Sequence, residues 1–238
     1  MRRLGPLYGG AVALVHSTPV SWPAEIGDDA RSPAWIVAIG APIGVAAWAA
    51  AALARAAGIP TPIAAIIGIA ILTLASAALV ERGLADRIDG WLEAPKGAVS
   101  PGSIVALVLV TVIRAACIAF VAPGNWLAVF VATAMLGRYA AIFLQALGDP
   151  IPDEHDRRSL VATPAPAWLT GALGIGVAVV CVVALGKAGI VALALAAIAA
   201  FVLGLDAQRR DHGLASPVVA TAAAIAELLL LLLASAGH

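Results

Sequence analysis

The chain has 238 residues, of which 62% are hydrophobic and only 12% are charged, and its mean hydropathy is +1.01. Soluble globular domains have about 45–50% apolar and about 25% charged residues. The composition therefore excludes a soluble globular protein and indicates an integral membrane protein. With 14 basic and 14 acidic residues the formal net charge is zero. From the apolar composition we predict a lipid bilayer as a partner, and from the zero net charge we predict no binding to nucleic acid.

The hydrophobic pattern predicts a membrane-spanning helical bundle. Residues 4–16 form a first apolar stretch that is shorter than the roughly 20 residues that a spanning helix needs. We predict that this stretch is re-entrant or lies at the membrane interface. Seven later stretches are long enough to span: 33–54, 61–80, 100–121, 125–147, 166–186, 188–205 and 214–234. The predicted fold is one all-α integral-membrane domain covering residues 1–238, with about seven spans plus the short N-terminal segment.

The charged loop residues collect on one side of this topology. If residues 81–99 are cytoplasmic, ten of the 14 Lys and Arg residues share that side, and the opposite loops hold only Arg55 and Lys187. This distribution predicts a multi-pass protein of the cytoplasmic (inner) membrane with its charged face in the cytoplasm. Thirteen of the 14 acidic residues fall on the same side. Because acidic residues do not set topology, their crowding indicates a site for a divalent metal and phosphate, or else loop ends that are merely solvated.

Three charged residues lie inside predicted spans: Arg114, Arg138 and Glu227. Charges in the bilayer are costly and face a partner or a wet cavity. At about 1.5 Å per residue, Arg114 and Glu227 lie at similar depths, roughly 20 Å from the cytoplasmic ends of their spans. We therefore predict that they form an ion pair, which leaves the shallower Arg138 for substrate phosphate. In the alternative, Arg138 pairs with Glu227.

The most informative loop segment is residues 81–93, with the sequence E-R-G-L-A-D-R-I-D-G-W-L-E. If the preceding helix continues through it, Asp86, Asp89 and Glu93 lie on one face. Carboxylates placed in this way can hold Mg²⁺, which takes its other oxygens from water and substrate phosphates. An amphipathic interfacial helix with salt bridges through Arg82 and Arg87 would have a similar pattern.

The segment 82–90 resembles the D-G-L-A-D-x-x-D-G motif of the cobalamin-5'-phosphate synthase family of integral-membrane adenosylcobinamide-GDP ribazoletransferases. Gly137-Arg138 resembles a Gly-Arg pair in a middle span of that family, and Glu227 resembles the acid of its last helix. The chain departs from the family at Arg82, which replaces the first Asp of the motif. A family M-R-D-S-like stretch is absent, and Ala215-Ser216-Pro217 stands where the family has T-G-D.

The resemblance implies a phosphotransfer reaction. Adenosylcobinamide-GDP, a nucleotide-activated cobinamide, would transfer its phosphoryl-cobinamide group to alpha-ribazole or its 5'-phosphate and release GMP. On this basis Asp86, Asp89 and Arg138 are the predicted catalytic residues, and Mg²⁺ is the predicted cofactor. Asp86, Asp89 and Glu81 are the predicted metal ligands, and Arg138, Arg82 and Arg87 are predicted to bind substrate.

Two other functions stay open at this point. The missing motif acids are compatible with a catalytically silent membrane scaffold or subunit. Buried Arg114, Arg138 and Glu227 are also compatible with a small-molecule transporter, although the predicted external loops carry little charge. Assembly into a homo-oligomer is left open as well.

Overall fold

The computed structural model describes residues 8–19, 32–93, 95, 99–148, 160, 164–210 and 212–237. In this part of the chain the helices are α1 (Tyr8–Ser17), α2 (Ser32–Ala56), α3 (Thr61–Ala75), α4 (Leu79–Trp91), α5 (Pro101–Phe120), α6 (Trp126–Leu147), α7 (Ala167–Leu185), α8 (Lys187–Arg210) and α9 (Ser216–Ala236). A single 3-10 turn, Pro123–Asn125, precedes α6. The described residues contain no β-strand, so the all-α prediction is confirmed.

Six of these helices are long and apolar enough to cross a bilayer, and the bent pair α3–α4 makes a seventh if it counts as one span. The prediction of about seven spans is therefore confirmed. Helix α1 has ten residues and packs against α2, so it is too short to cross. Residues 20–31 and 149–159, which carry many of the predicted cytoplasmic charges, lie outside the described residues. The orientation in the membrane therefore stays a prediction.

Residues 61–80 were predicted as one spanning helix, but in the structure they do not form one continuous helix. Helix α3 stops at Ala75, and the next helix begins at Leu79 after a bend of 82°. The predicted stretch is apolar throughout, and hydrophobicity does not register a change of direction. Helix α4 therefore does not continue the axis of α3; it packs mainly against α9 and α5.

Helices α6 and α9 form the centre of the bundle. In the apolar 18-residue stretches of α6 and α9, 72% and 67% of the residues are buried, whereas only 17% are buried in the corresponding stretch of α7. The outer helices expose large aliphatic side chains such as Val108 of α5 and Val183 of α7. In a bilayer such side chains face lipid, so the polar residues of the bundle are expected on its inner helices.

Helices α2 and α6 approach closely because two glycines of α2, Gly40 and Gly44, lie one turn apart. A Cβ on Gly40 would lie 2.8 Å from the carbonyl oxygen of Ala134, which belongs to the α6 backbone. Small residues spaced four apart favour helix packing in membranes because they let two backbones approach closely. The contact fixes α2 against the central helix.

At the start of α6, Trp126 joins three structural elements. Its indole Nε1–H donates to the carbonyl oxygens of Ile118 and Val121, each at 3.0 Å. The guanidinium of Arg55, from the end of α2, lies 5.7 Å from the centre of the indole ring. The Trp126 side chain is almost fully buried.

Replacing Trp126 by Phe is expected to lower the free energy of unfolding by about 1–3 kcal/mol, because the carbonyl of Val121 loses the indole donor and the carbonyl of Ile118 retains only the amide of Val121. Thermal unfolding of detergent-purified protein measures this effect. Phe130, which packs edge-on against Trp126, keeps an aromatic neighbour in the variant. An unchanged melting temperature would show that the indole donor contributes nothing to stability.

Candidate functional site

The bend between α3 and α4 has an unusual backbone. Ala77 and Ala78 both have positive φ angles, 53° and 54°, a region that costs an L-residue roughly 1–2 kcal/mol. Before them, Ser76 donates from its amide and its hydroxyl to the carbonyl oxygen of Leu72, at 3.2 and 2.9 Å. Strained backbone of this kind persists only where surrounding contacts hold it, and it concentrates at functional sites.

A buried ion triad lies next to the bend and joins three helices. Arg114 of α5 contacts Glu81 of α4 at 2.8 Å and Glu227 of α9 at 2.9 Å. The side chains of Arg114 and Glu227 are 1% and 3% exposed. The predicted pairing of Arg114 with Glu227 is confirmed, and Arg138 does not form the alternative ion pair with Glu227 among the described residues.

Glu81 was predicted as a metal ligand, and the structure places it in this triad. Its Oε1 accepts hydrogen bonds from Arg114 and from the hydroxyl of Thr73, both at 2.8 Å. Glu81 lies eight residues before Asp89 on α4, which is roughly 12 Å along a helix axis. Its carboxylate therefore pairs with a buried arginine, and among the described residues it does not form with Asp86 and Asp89 a group that could hold a metal ion.

Arg138 holds the other side of the bend. Its guanidinium donates to the hydroxyl of Ser76 at 2.9 Å and to the carbonyl of Ala134 at 3.1 Å. Arg138 is 2% exposed, and the charges of Glu227 and Glu81 lie within its electrostatic reach. A substrate phosphate does not reach a side chain this deeply buried in the described conformation.

Gly137, the residue before Arg138, leaves no room for a side chain because Glu227 lies against it. A Cβ on Gly137 would lie 2.6 Å from Oε1 of Glu227. Any larger residue at this position would push the Glu227 carboxylate away from Arg114. In the Gly-Arg pair on α6, Gly137 therefore makes room for the charge of Glu227, and Arg138 supplies a positive charge. Residue 83 is similar: a Cβ on Gly83 would overlap the side chain of Ala220, which lets α4 lie directly on α9.

Asp86 and Asp89 lie near the other end of α4. Asp86 is half exposed, and its Oδ2 lies 3.9 Å from Nε of Arg82. Asp89 accepts a hydrogen bond at 3.1 Å from the amide of Ser100, the residue that caps α5. The Asp89 carboxylate therefore joins the end of α4 to the first turn of α5.

The prediction that Glu93 shares this face was wrong. Helix α4 ends at Trp91, and Glu93 lies beyond it with a φ of 53°. The helical spacing that would align Glu93 with Asp86 and Asp89 therefore does not apply. The two aspartates, three residues apart, are left on one face of the helix.

Arg87, predicted to bind substrate, is held inside the protein. Its guanidinium contacts Asp206 of α8 at 2.7 Å and lies 5.5 Å from the centre of the Trp91 ring. It is only 8% exposed. Arg82, the other arginine of α4, has a side chain that is 64% exposed. Arg87 therefore clamps α4 to the end of α8, and Arg82 lies at the surface beside Asp86.

The comparisons with known proteins agree with the family suggested by the motif. The family model for cobalamin-5-phosphate synthase matches residues 10–235, nearly the whole chain. The chain belongs to the cobalamin-5-phosphate synthase family. No curated protein and no solved structure matches it. Membership of the family places the chain in cobalamin biosynthesis.

The metal that this family resemblance implies can be tested against the side chains of this member. Among the described residues no group of three or more His, Cys, Asp or Glu side chains is placed to share an ion. Asp86 and Asp89 nevertheless fit Mg²⁺, because that ion is commonly bound through one or two carboxylates and completes its shell with water and substrate phosphates. The two carboxylates alone would not complete the coordination shell of the ion, so the site would also need oxygens from water and substrate phosphate.

Sequence reasoning missed two residues that organise the site, Thr73 and Ser76. Both lie in an apolar stretch that the sequence presents as one helix, and each is a small polar residue of a kind that lipid-embedded helices tolerate. Their importance comes from the bend, which brings them to Glu81 and Arg138. No local signal distinguishes them from other Ser and Thr residues in the spans.

Proposed function

We propose that this family member is a membrane-embedded, Mg²⁺-dependent phosphotransferase of late cobalamin biosynthesis. It would join adenosylcobinamide-GDP to alpha-ribazole or its 5'-phosphate. The ribazole hydroxyl forms a new bond to the phosphorus that carries cobinamide, the bond from that phosphorus to the GMP oxygen breaks, and the hydroxyl proton passes to water or to a carboxylate of the motif acting as base. The observation that carries the proposal is the pair Asp86 and Asp89 on one face of α4, within a chain matched by the family model almost end to end.

The chain's own residues have separate tasks in this proposal. Asp86 and Asp89 would hold the ion, which would stabilise the negative charge that develops on the phosphate during transfer. Arg82, exposed beside Asp86, binds substrate phosphate. Most of the rate of such a reaction comes from positioning and electrostatic stabilisation, because the protein has little covalent chemistry to perform.

We assign Glu81, Arg87 and Arg138 to positioning rather than to substrate contact. Each is engaged in a contact within the bundle: Glu81 with Arg114, Arg87 with Asp206 and Arg138 with Ser76. Together they fix both ends of α4 relative to α5, α6 and α8. The orientation of the two aspartates follows from that placement, and misplacement of a catalytic group by about 1 Å can cost a hundredfold in rate.

The proposal predicts that Asp86→Asn and Asp89→Asn each lower turnover by at least a hundredfold, because each removes half of the charge that holds the metal. Membranes containing the protein would be assayed for release of GMP from adenosylcobinamide-GDP, with alpha-ribazole and varied Mg²⁺. Glu93→Gln is the matched control, since it removes a carboxylate just beyond the same helix and should leave turnover unchanged. Full activity in either aspartate variant would overturn the metal assignment.

A catalytically silent scaffold is the second candidate, and one contact favours it. Arg82 replaces an acid of the family motif, and its Nε lies 3.9 Å from Oδ2 of Asp86. The positive charge of this side chain is therefore next to a predicted metal ligand. Binding of adenosylcobinamide-GDP to the purified protein without GMP release at any Mg²⁺ concentration would support the scaffold. Accumulation of a labelled solute in proteoliposomes, without chemistry, would instead support the transporter.

A further inference from the structure

A groove lies between the C-terminal ends of α6 and α8, at the start of α9. We call it the α6–α8 groove. It has a volume of about 100 Å³ and is lined mainly by Leu144, Leu147, Phe201, Gly204, Leu205 and Leu214, with Gln208 at one end. Leu144 and Leu214 are fully buried and form its floor, whereas Leu147, Phe201 and Leu205 are 45%, 51% and 40% exposed at its rim.

The groove depends on the absence of a side chain at residue 204. A Cβ on Gly204 would lie 2.9 Å from Cδ1 of Leu144, and apart from the adjacent residues and the nearby backbone of α8 no other atom lies within 4 Å of that position. The space beside Leu144 is therefore open because α8 has a glycine there. Both α6 and α8 are helices that can span a membrane, so the open rim of the groove lies on a surface that meets lipid.

A positively charged residue, Arg209, follows the exposed rim residues on α8. On α8, Phe201, Leu205 and Arg209 are spaced four residues apart and therefore lie one above another on the helix surface. Gln208 and Arg209 are both exposed. Among the described residues Arg209 forms no ion pair, whereas its neighbour Arg210 contacts Asp206 at 2.8 Å.

We propose that the α6–α8 groove is a binding site for an anionic phospholipid. A short segment of one acyl chain lies in the groove against Leu144 and Leu214, since water in an apolar groove would lack hydrogen-bond partners. The phosphate lies at the end of α8, where Arg209 supplies the charge and Gln208 supplies an amide donor. Cations next to a spanning helix attract acidic headgroups. The site is independent of Asp86 and Asp89, so it goes beyond the proposed enzymatic function.

The headgroup contact can be tested with the full-length protein in nanodiscs that contain equal amounts of phosphatidylglycerol and phosphatidylcholine. Native mass spectrometry of the released protein counts the retained lipids. We expect retention of phosphatidylglycerol over phosphatidylcholine, and a decrease of about fivefold in that preference for Arg209→Gln. Lys187→Gln is the matched control, because it removes one exposed cation at the opposite end of the same helix and should leave the preference unchanged.

The acyl-chain contact is tested with Gly204→Leu, which fills the groove. This variant should retain less of both lipids, and its melting temperature shows whether the bundle is intact. If it does not fold, the comparison of Arg209→Gln with Lys187→Gln still decides the proposal. Equal retention of the two lipids by the unmodified protein, or equal preferences in the two charge variants, would overturn it.

Discussion

Replacing Arg114 by Gln is expected to destabilise the protein more than any other single charge change in the described part of the chain. The substitution removes the partner of two carboxylates at once, Glu81 at 2.8 Å and Glu227 at 2.9 Å. Breaking one buried ion pair typically costs about 3–5 kcal/mol, because the remaining charge stays buried without compensation. We expect at least that loss, seen as a lower melting temperature in detergent.

The two carboxylates supply the internal comparison for this prediction. Glu227→Gln should also be costly because Glu227 is 3% exposed, whereas Glu81→Gln should cost less because Glu81 is 15% exposed. Combining Arg114→Gln with both of these changes removes every charge of the triad and should recover part of the stability. Equal melting temperatures for Arg114→Gln and the unmodified protein would mean that the triad contributes nothing.

The second large effect is expected at Gly44, where α2 meets α6. A Cβ on Gly44 would lie 2.7 Å from both the carbonyl oxygen of Phe130 and the amide nitrogen of Val131. These atoms belong to the backbone of the central helix and cannot rotate away as a side chain would. Gly44→Val should therefore separate α2 from α6 and cost about 3 kcal/mol or more. Thermal unfolding and the yield of monodisperse protein measure this loss.

Gly176 provides the matched control for this substitution. It is also a glycine within a spanning helix, α7, but apart from the adjacent residues and the nearby backbone of α7 nothing lies within 4 Å of the position that its Cβ would occupy. Gly176→Val should therefore leave the melting temperature nearly unchanged, since Val fits a helix interior at least as well as Gly. A similar loss in both variants would indicate that the effect comes from the helix itself and not from the α2–α6 contact.

The triad and the bend together explain how a charged helix is held inside an apolar bundle. Helix α4 begins beside Glu81, which Arg114 neutralises, and Arg87 fixes its later turns through Asp206. The exposed Asp86 lies on the turns between Glu81 and the end of the helix. The contacts of these buried arginines thus fix the helix that carries the two aspartates. A loss of turnover in Arg114 or Arg138 variants would therefore need a separate measurement of folding.

The sequence by itself determined the membrane class and the number and approximate ends of the spans. It favoured the pairing of Arg114 with Glu227 over that of Arg138 with Glu227, and the structure decided between them. Hydrophobicity and the cost of buried charge are properties that each residue carries wherever it lies. The sequence also placed Asp86 and Asp89 on one face, because helical spacing is local.

Only the tertiary structure decided the bend at Ser76, the assignment of Glu81 to Arg114, and the burial of Arg138 and Arg87. The bend lies in an apolar run with no proline or glycine at residues 75–79, so nothing local marks it. It exists because contacts from α5 and α6 to Glu81 and Ser76 offset the strain at Ala77 and Ala78. Such contacts join residues far apart in the chain, and their energies cannot be assigned before the helices are packed.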